Sequence, residues 1–214
     1  MSDIKSTIKK LNELDYGQEF EIKQLHADKD FIEFQRKKLK EIHPNAKPED
    51  IDRQIANIVA RNNSIDLIIE GISKHFEFII NDEDLRAFAK RIKNNVLNDV
   101  DQNMSNDTMK NMVKNDEVLK NIATSTLKRN LLFKELAKLW DVRVSDEEVK
   151  ASLDKYYAAT NMPIRDILND KTKFESVRDI MLNEKIGNEL LHRFRVKFNL
   201  PQPPKNPENS KNNN

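Results

Sequence analysis

Glycine and proline are almost absent from the middle of this chain, and their absence limits the folds open to it. Between Pro48 and Pro163 there is no proline and a single glycine, Gly71. Sheet-rich and α/β folds need many tight turns, which are built largely from these two residue types. The stretch therefore predicts successive α-helices, and it contains no glycine-rich loop of the kind that binds a nucleotide phosphate.

Charge and hydropathy restrict the partners of the chain. Its 214 residues carry a net charge of +1, and 34% of them are charged. A charge so close to neutral gives no electrostatic case for binding nucleic acid or an anionic membrane. The apolar runs are too short to span a bilayer, and the first residues lack the apolar core of a signal peptide. We therefore expect a cytoplasmic protein with neither partner.

Residues that carry chemistry form no recognisable site. The chain has no cysteine, which excludes disulfides, thiolate catalysis and cysteine-ligated zinc. Its four histidines are scattered and form no H-E-x-x-H pair. The acidic groups at 82–84 and 146–148 fit the first turns of helices, where carboxylates interact favourably with the helix dipole. We expect no enzyme activity, no metal site and no cofactor.

The first third of the chain gives a mixed pattern. Ser2 or Asp3 can cap a short helix with apolar residues at 4, 8 and 11 on one face. Residues 15–26 stay open, because Phe20 and Ile22 alternate as in a strand but over too few positions. A helix is predicted from Asp28 to Ile42, since His43-Pro44 ends it.

A long helix is predicted from Pro48, a favourable residue for a first turn. Its apolar seam has spacings that alternate between four and three, as in helices packed lengthwise. The seam consists of Ile51, Ile55, Ile58, Asn62, Ile65, Ile69, Ile72 and Phe76. The alternative is two helices broken near residues 62–64.

Caps predict the remaining helices and their order. We expect helices from Asn81 to about residue 98, from Ser105 (with Met109, Met112 and Val113), from Asp116 to about Leu139, from Ser145 to Tyr157, from Pro163, and from Thr172 onward. Ser145 with Glu148 and Thr172 with Glu175 form capping-box patterns. The tail from Pro201 has no hydrophobic residue and is predicted to be disordered.

An internal repeat relates two parts of the chain. Residues 67–87 align with residues 131–151, LIIEGISKHFEFIINDEDLRA over LLFKELAKLWDVRVSDEEVKA. Chance similarity between two helix–link–helix segments is the alternative explanation. In either case both segments predict a corner, where a long helix ends, an extended link follows and a capped helix begins.

The second corner and the last helix resemble the C-terminal domain of trigger factor, the bacterial folding chaperone. The stretches that carry the resemblance are LLFKELAKLWDVRVSDEEVKASLDKYYAA and FESVRDIMLNEKIGNELL. The pattern residues are Leu132, Leu136, Ala137, Val142, Val144, Asp146, Glu147, Glu148, Glu184, Lys185, Leu190 and Leu191. The helical domain of the periplasmic chaperone SurA is similar in plan. The resemblance covers residues 27–198, and it leaves an N-terminal segment at 1–26 and a tail at 199–214.

The resemblance implies an all-α fold, elongated, with protruding helical arms around an open crevice. It also implies ATP-independent holding of unfolded or nascent polypeptides. The ribosome-docking loop and the prolyl isomerase domain of full trigger factors have no counterpart here. Candidate peptide-binding residues are Phe76, Phe78, Met104, Met109, Met112, Phe133, Trp140, Tyr156, Tyr157 and Phe194, of which Phe76 and Trp140 are also candidates for the core.

A second hypothesis is a helical adaptor or scaffold with one dedicated partner. In that case the seam from Ile51 to Phe76 would pair with another chain or with its own copy, which would give a homodimer.

Overall fold

The computed structural model describes residues 4–102, 114–161 and 163–201. Within these ranges seven helices and four short strands follow one another, so the prediction of a mostly helical fold is confirmed. In chain order the elements are β1 (Thr7–Lys10), β2 (Glu19–Ile22), α1 (Lys29–Ile42), α2 (Pro48–Ser73), β3 (Phe76–Ile79), α3 (Asp82–Gln102), α4 (Asp116–Leu139), α5 (Asp146–Thr160), α6 (Arg165–Asn169), α7 (Lys171–Arg193) and β4 (Arg195–Phe198). The predicted helix with Met109, Met112 and Val113 lies outside the described residues, as do residues 202–214 of the tail.

The chain divides into two compact units, each built from segments far apart in sequence. Unit 1 comprises Met1–Leu14 and Ile72–Glu189, and unit 2 comprises Asp15–Gly71 and Leu190–Asn214. Each unit therefore needs long-range contacts that local sequence patterns do not reveal.

The predicted N-terminal helix is wrong, because these residues form strand β1 in unit 1. β1 pairs antiparallel with β3, which places Ile8 opposite Phe78, and both side chains pack against the core of the unit. Residues 4 and 11 of the predicted apolar face are exposed instead. A helix this short is marginal on its own, whereas the strand gains backbone hydrogen bonds and buries Ile8.

The core of unit 1 lies mainly between α3 and α4. Leu85 and Phe88 of α3 pack against Ala123, Leu127 and Leu131 of α4. On each helix these residues are three or four apart, so they form one apolar face. A second cluster joins Val144, Val149 and Leu153 to apolar side chains of α6 and α7.

Residues 15–26, whose pattern left the structure open, belong to unit 2 and contain strand β2. β2 pairs in parallel with β4, and Glu19 is opposite Arg195. Phe20 and Ile22 are buried, while Glu19 and Glu21 are exposed, so the short alternation is that of a strand with one face on the core. Its partner lies near the other end of the chain, which explains why the local pattern was ambiguous.

Helix α2 is continuous, so the alternative of two helices is wrong. Polar residues at the suspected break instead stabilise the structure through their side chains. The Asn63 Nδ2 donates to the His26 carbonyl at 2.8 Å, and the Asn63 Oδ1 accepts from the His26 N–H at 2.7 Å. The Ser64 hydroxyl donates to the Ala60 carbonyl within the helix at 2.8 Å. Asn63 thus ties the chain after β2 to α2.

The buried face of α2 differs from the predicted seam. Val59 and Ile68 are buried where Ile58 and Ile69 were expected, and those two are only half-buried. A straight helix advances 3.6 residues per turn, so its buried face moves away from a strict seven-residue repeat. The other buried apolar residues of α2 are Ile51, Ile55, Ile65 and Ile72.

The capping predictions had different outcomes. The capping box of Ser145 and Glu148 is confirmed at the start of α5. The box predicted at Thr172 is wrong, because the Asp170 carboxylate accepts the N–H groups of Thr172 and Lys173 at 2.8 and 3.1 Å. An aspartate two residues earlier provides the stronger cap and starts α7 at Lys171.

Gly71 of α2 gives a prediction about unit 2. A Cβ at this position would lie 2.2 Å from the Cε1 of Phe20, a buried ring that also packs edge-on against Phe194. We expect Gly71→Ala to lower the free energy of unfolding by about 1–3 kcal/mol through overpacking. Urea denaturation measures this difference.

Gly17→Ala is the matched control, since its Cβ would meet only an Asp15 side-chain oxygen at 3.2 Å. Its expected change is within about 0.5 kcal/mol. A Gly71→Ala variant more stable than the original protein would contradict the packing, because helix propensity alone favours alanine by about 1 kcal/mol.

Candidate binding groove

Three helix faces in unit 1 converge on a groove of about 290 Å³. α3 and α4 each contribute residues spaced i, i+3, i+4 and i+7, and α7 contributes residues spaced i, i+3 and i+4, which is the spacing of one helix face. The lining residues are Ile4, Asp84, Ala87, Phe88, Arg91, Leu127, Asn130, Leu131, Lys134, Asp179, Leu182 and Asn183. We call this site the three-helix groove.

The floor of the three-helix groove is apolar. Phe88, Leu127 and Leu131 are buried members of the α3–α4 core, and Leu182 of α7 is half-buried. Ile4 stands at the edge and is 44% exposed. Because the floor consists of core residues, its shape is fixed by the packing of the unit rather than by mobile side chains.

The rim of the groove carries polar groups with spare hydrogen-bonding capacity. In the part of the chain that the structure describes, the side chains of Asn130, Lys134, Asp179 and Asn183 line the groove and have no hydrogen-bond or ion-pair partner. Each asparagine offers two N–H donors and a carbonyl acceptor. Those groups match the carbonyl and N–H groups of an extended polypeptide.

Two charged rim residues are held in place by neighbours. The Asp84 carboxylate accepts the backbone N–H and the hydroxyl of Ser6, both at 2.6 Å. The hydrogen bond from the Ser6 hydroxyl is the main cause that lowers the pKa of Asp84. The Arg91 guanidinium lies 4.3 Å from the centre of the Phe88 ring, where the cation is attracted to the face of the aromatic ring.

Contacts of two cationic side chains fix α7 at the corner between α4 and α5. Arg178 pairs with Asp146 and with Glu175, and it donates to the Val144 carbonyl at 2.8 Å. Lys185 donates to the Glu148 carboxylate at 2.6 Å and to the Arg143 carbonyl at 2.8 Å. We call these contacts the corner clamp. It holds the segment of α7 that carries the groove residues 179–183.

Hydrogen bonds lower the pKa values of the three acids at the start of α5, and the corner clamp supplies two of them. The hydrogen bond from Arg178 is the main cause that lowers the pKa of Asp146. The hydrogen bond from Lys185 is the main cause that lowers the pKa of Glu148. A backbone hydrogen bond, followed by one from the Ser145 side chain, lowers the pKa of Glu147. All three carboxylates are therefore held in the ionised form.

None of the seven predicted peptide-binding residues that the structure describes lines the groove. Phe76, Phe133 and Phe194 are buried in the cores of their units, and Phe78 and Trp140 are half-buried. Tyr156 and Tyr157 on α5 are 46% and 47% exposed. The three methionines at 104, 109 and 112 lie outside the described residues. A contact between a client and the three buried rings would require local unfolding.

Sequence reasoning missed the groove residues, although one signal was available. Polar or small residues interrupt the apolar pattern on one side of α3 and α4, at positions such as Ala87, Asn130 and Lys134. Read together, they mark a helix face that is apolar at its centre and polar at its border. Large aromatic residues were predicted as the site instead, and three of them, Phe76, Phe133 and Phe194, are buried.

A larger depression of about 660 Å³ lies in unit 2 at the turn from α1 to α2. Its lining is mostly polar or loop residues, and none of them is buried. Without an apolar floor this depression offers little to a hydrophobic side chain. The smaller groove in unit 1 is therefore the better candidate site.

Other kinds of site are not found among the described residues. No three histidine, aspartate or glutamate side chains in residues 4–102, 114–161 and 163–201 lie close enough to share a metal ion. No helix in the same ranges combines the length and the apolar character needed to cross a bilayer.

The described residues thus form a mostly helical protein, and three helices of unit 1 line an apolar-floored groove. Residues 29–192 match the family model of the bacterial trigger factor C-terminus. The chain belongs to the trigger factor C-terminal family, and the resemblance found in the sequence is confirmed.

Two curated relatives are 30% identical over 199 residues, with 93% of this chain and 96% of each relative covered. They are an uncharacterized protein, MG377, of Mycoplasma genitalium and its homolog in Mycoplasma pneumoniae. The crystal structure of a hypothetical Mycoplasma protein, MPN555, is similar with a TM-score of 0.74 and 29% identity. That similarity covers 93% of this chain and 94% of the crystallised one.

The corner clamp predicts how stability depends on pH. Because the folded pKa values of Asp146 and Glu148 lie below their unfolded values, the contacts contribute fully above the unfolded values of about 4. The contribution is lost as the pH falls from there through the folded values. We expect urea denaturation between about pH 7 and pH 3 to show a falling free energy of unfolding.

The double variant Asp146→Asn and Glu148→Gln should lower the stability at neutral pH and flatten the loss on acidification. The matched control is Asp154→Asn, an exposed α5 carboxylate without a partner among the described residues. It should keep the original pH dependence. Equal slopes for the double variant and the original protein would show that the clamp does not act as described.

Proposed function

We propose that this protein is an ATP-independent, non-catalytic chaperone of the cytoplasm that holds unfolded or nascent polypeptides in the three-helix groove. The observation that carries the proposal is the combination of an apolar floor with partnerless amides at the rim. An unfolded chain presents both apolar side chains and free backbone hydrogen-bonding groups, so the two surfaces are complementary.

The size of the groove fits weak and reversible holding. At about 290 Å³ it lies near the lower end of ligand pockets, which span about 300–1,000 Å³. One aromatic side chain of ~150–250 Å² would gain roughly 4–6 kcal/mol from burial at ~25 cal/mol per Å². The loss of free motion on association costs a comparable amount. A single inserted residue therefore binds weakly, and firm holding needs further contacts along the client.

Exposed apolar side chains in unit 1 can supply such contacts. Tyr156, Tyr157 and Ile180 are exposed, and Ile180 is 66% exposed on α7, the helix that also forms one wall of the groove. Several weak contacts on one flexible chain add up through effective concentration. Such a mode tolerates varied client sequences, which suits a holding function.

Membership of the trigger factor C-terminal family supports a client-binding function in general. The relatives with 30% identity are uncharacterized, so the support comes from the family and from the groove.

The surface proposed for an adaptor, the apolar seam of α2, is not available for pairing. Most of the seam from Ile51 to Phe76 is buried within the chain, including Ile51, Ile55 and Ile65. A seam already packed inside the protein is not free to pair with a partner or with a second copy.

The proposal predicts the effect of filling the groove. Ala87 is an exposed residue of the lining, and Ala87→Trp would occupy the space above the floor. We expect the original protein to suppress the aggregation of a chemically denatured enzyme without ATP, and we expect Ala87→Trp to lose most of that effect. Light scattering after dilution from denaturant measures both.

Ala151→Trp is the matched control. Ala151 occupies the position equivalent to Ala87 in the sequence repeat, is exposed on α5 and does not line the groove. It should suppress aggregation as the original protein does, and circular dichroism should show both variants folded. Failure of the original protein at several-fold molar excess would refute the proposed function, whereas equal activity of both variants would move the site elsewhere.

A further inference from the structure

The charges of unit 1 are segregated on the paired helices α3 and α4. Residues 85–98 and 118–134 contain eight cationic residues and no aspartate or glutamate. The cations are Arg86, Lys90, Arg91, Lys93, Lys120, Lys128, Arg129 and Lys134. The whole chain carries a net charge of only +1, so its average conceals a strongly basic region.

The two stretches lie side by side in the folded unit, so their cations belong to one helix pair. Leu85 and Phe88 in the first stretch share a core cluster with Ala123 and Leu127 in the second. All eight cations are exposed. Arg86, Lys90 and Lys93 are spaced i, i+4 and i+7 and therefore share one face of α3, a face that does not line the three-helix groove.

The carboxylates of the same helices lie outside the two stretches, toward the helix ends, and three of them are engaged by other groups. Glu83 pairs with Lys5 at 2.5 Å, and Glu135 pairs with Lys138 at 3.3 Å. Asp84 is bonded to Ser6. Among the described residues, Arg86, Lys90 and Lys93 have no carboxylate partner. The surface therefore retains its positive charge for an external anion.

We propose that this α3–α4 surface binds the phosphate backbone of nucleic acid. Phosphate contacts need clustered cations and hydrogen-bond donors, and they need little apolar area. Exposed asparagines on the same stretches, Asn94, Asn95 and Asn121, are suitable donors. The net charge of the whole chain gives no case for nucleic acid, whereas these two stretches carry eight cations and no carboxylate.

An acidic polypeptide fits this surface less well. Stable protein interfaces have cores enriched in aromatic residues and depleted of lysine. In the described part of the two stretches, the one large apolar side chain that is exposed is Ile122, at 36%. No exposed aromatic ring is available there for stacking with bases, so the binding is expected to tolerate any base sequence.

Fluorescence anisotropy with short fluorescein-labelled RNA and DNA of the same sequence tests the proposal, with labelled poly-glutamate as a third probe. We expect both nucleic acids to bind, and the affinity to fall steeply between about 50 and 200 mM salt. The triple variant R86E/K90E/K93E should weaken binding by roughly tenfold or more and reduce the salt slope by about two to three. Preference for RNA or for DNA identifies the source of the phosphate.

The matched control is K155E/K171E/K173E, which reverses three exposed cations of α5 and α7 and gives the same total charge. It should bind nucleic acid nearly as well as the original protein. The proposal is overturned if neither nucleic acid binds, if both triple variants lose affinity equally, or if poly-glutamate binds more tightly. The α3 variant leaves the groove lining intact, so its suppression of aggregation should persist, which separates this proposal from the proposed chaperone function.

Discussion

The packing of α3 against α4 is the contact on which unit 1 depends. Leu127 of α4 is completely buried and belongs to the core cluster, and it also lines the groove. Phe88 and Leu131 likewise belong to the core cluster and line the groove. The groove is therefore the outer surface of a packed core, and its apolar floor exists because the two helices are paired.

Polar contacts determine where the third wall of the groove lies. Arg178 and Lys185 bind the acids and carbonyls at the start of α5, so α7 cannot slide freely along the corner. This geometry explains much of the charged pattern that the sequence shares with trigger factor C-terminal domains. Asp146, Glu148 and Lys185 hold helices together, and their place in the pattern reflects architecture more than client contact.

Local sequence predicted where several helices begin, although the N-terminal helix and the capping box at Thr172 were wrong. Asp28 caps α1 and accepts the N–H of Asp30, and the Ser145 capping box starts α5, because caps depend on a few adjacent residues. Both repeated segments form corners, with α2 followed by β3 and α3, and α4 followed by a short link without regular structure and then α5.

The same reasoning did not predict which strands pair over long distances in the sequence. β1 pairs with β3, almost seventy residues later in the chain, and β2 pairs with β4 near the other end of the chain. Strand pairing of this kind is determined by tertiary contacts, which a short alternation of residues does not specify. Part of the predicted peptide-binding set is buried for a related reason. Periodicity identifies the apolar face of a helix but not its neighbours, so Phe133 and Phe194 were expected at a surface and lie in cores. The groove itself required three helices to be placed together.

Site-specific photo-crosslinking tests most directly whether unfolded chains enter the three-helix groove. A benzophenone amino acid would replace Asn183 on the rim in one variant and exposed Asp154 on α5 in a second variant. Both would be irradiated with a permanently unfolded protein and with the native form of the same protein. The account predicts a crosslink to the unfolded form from position 183 that is far stronger than the one from position 154, and little crosslink to the native form. Equal crosslinking from both positions, or none from position 183, would contradict it.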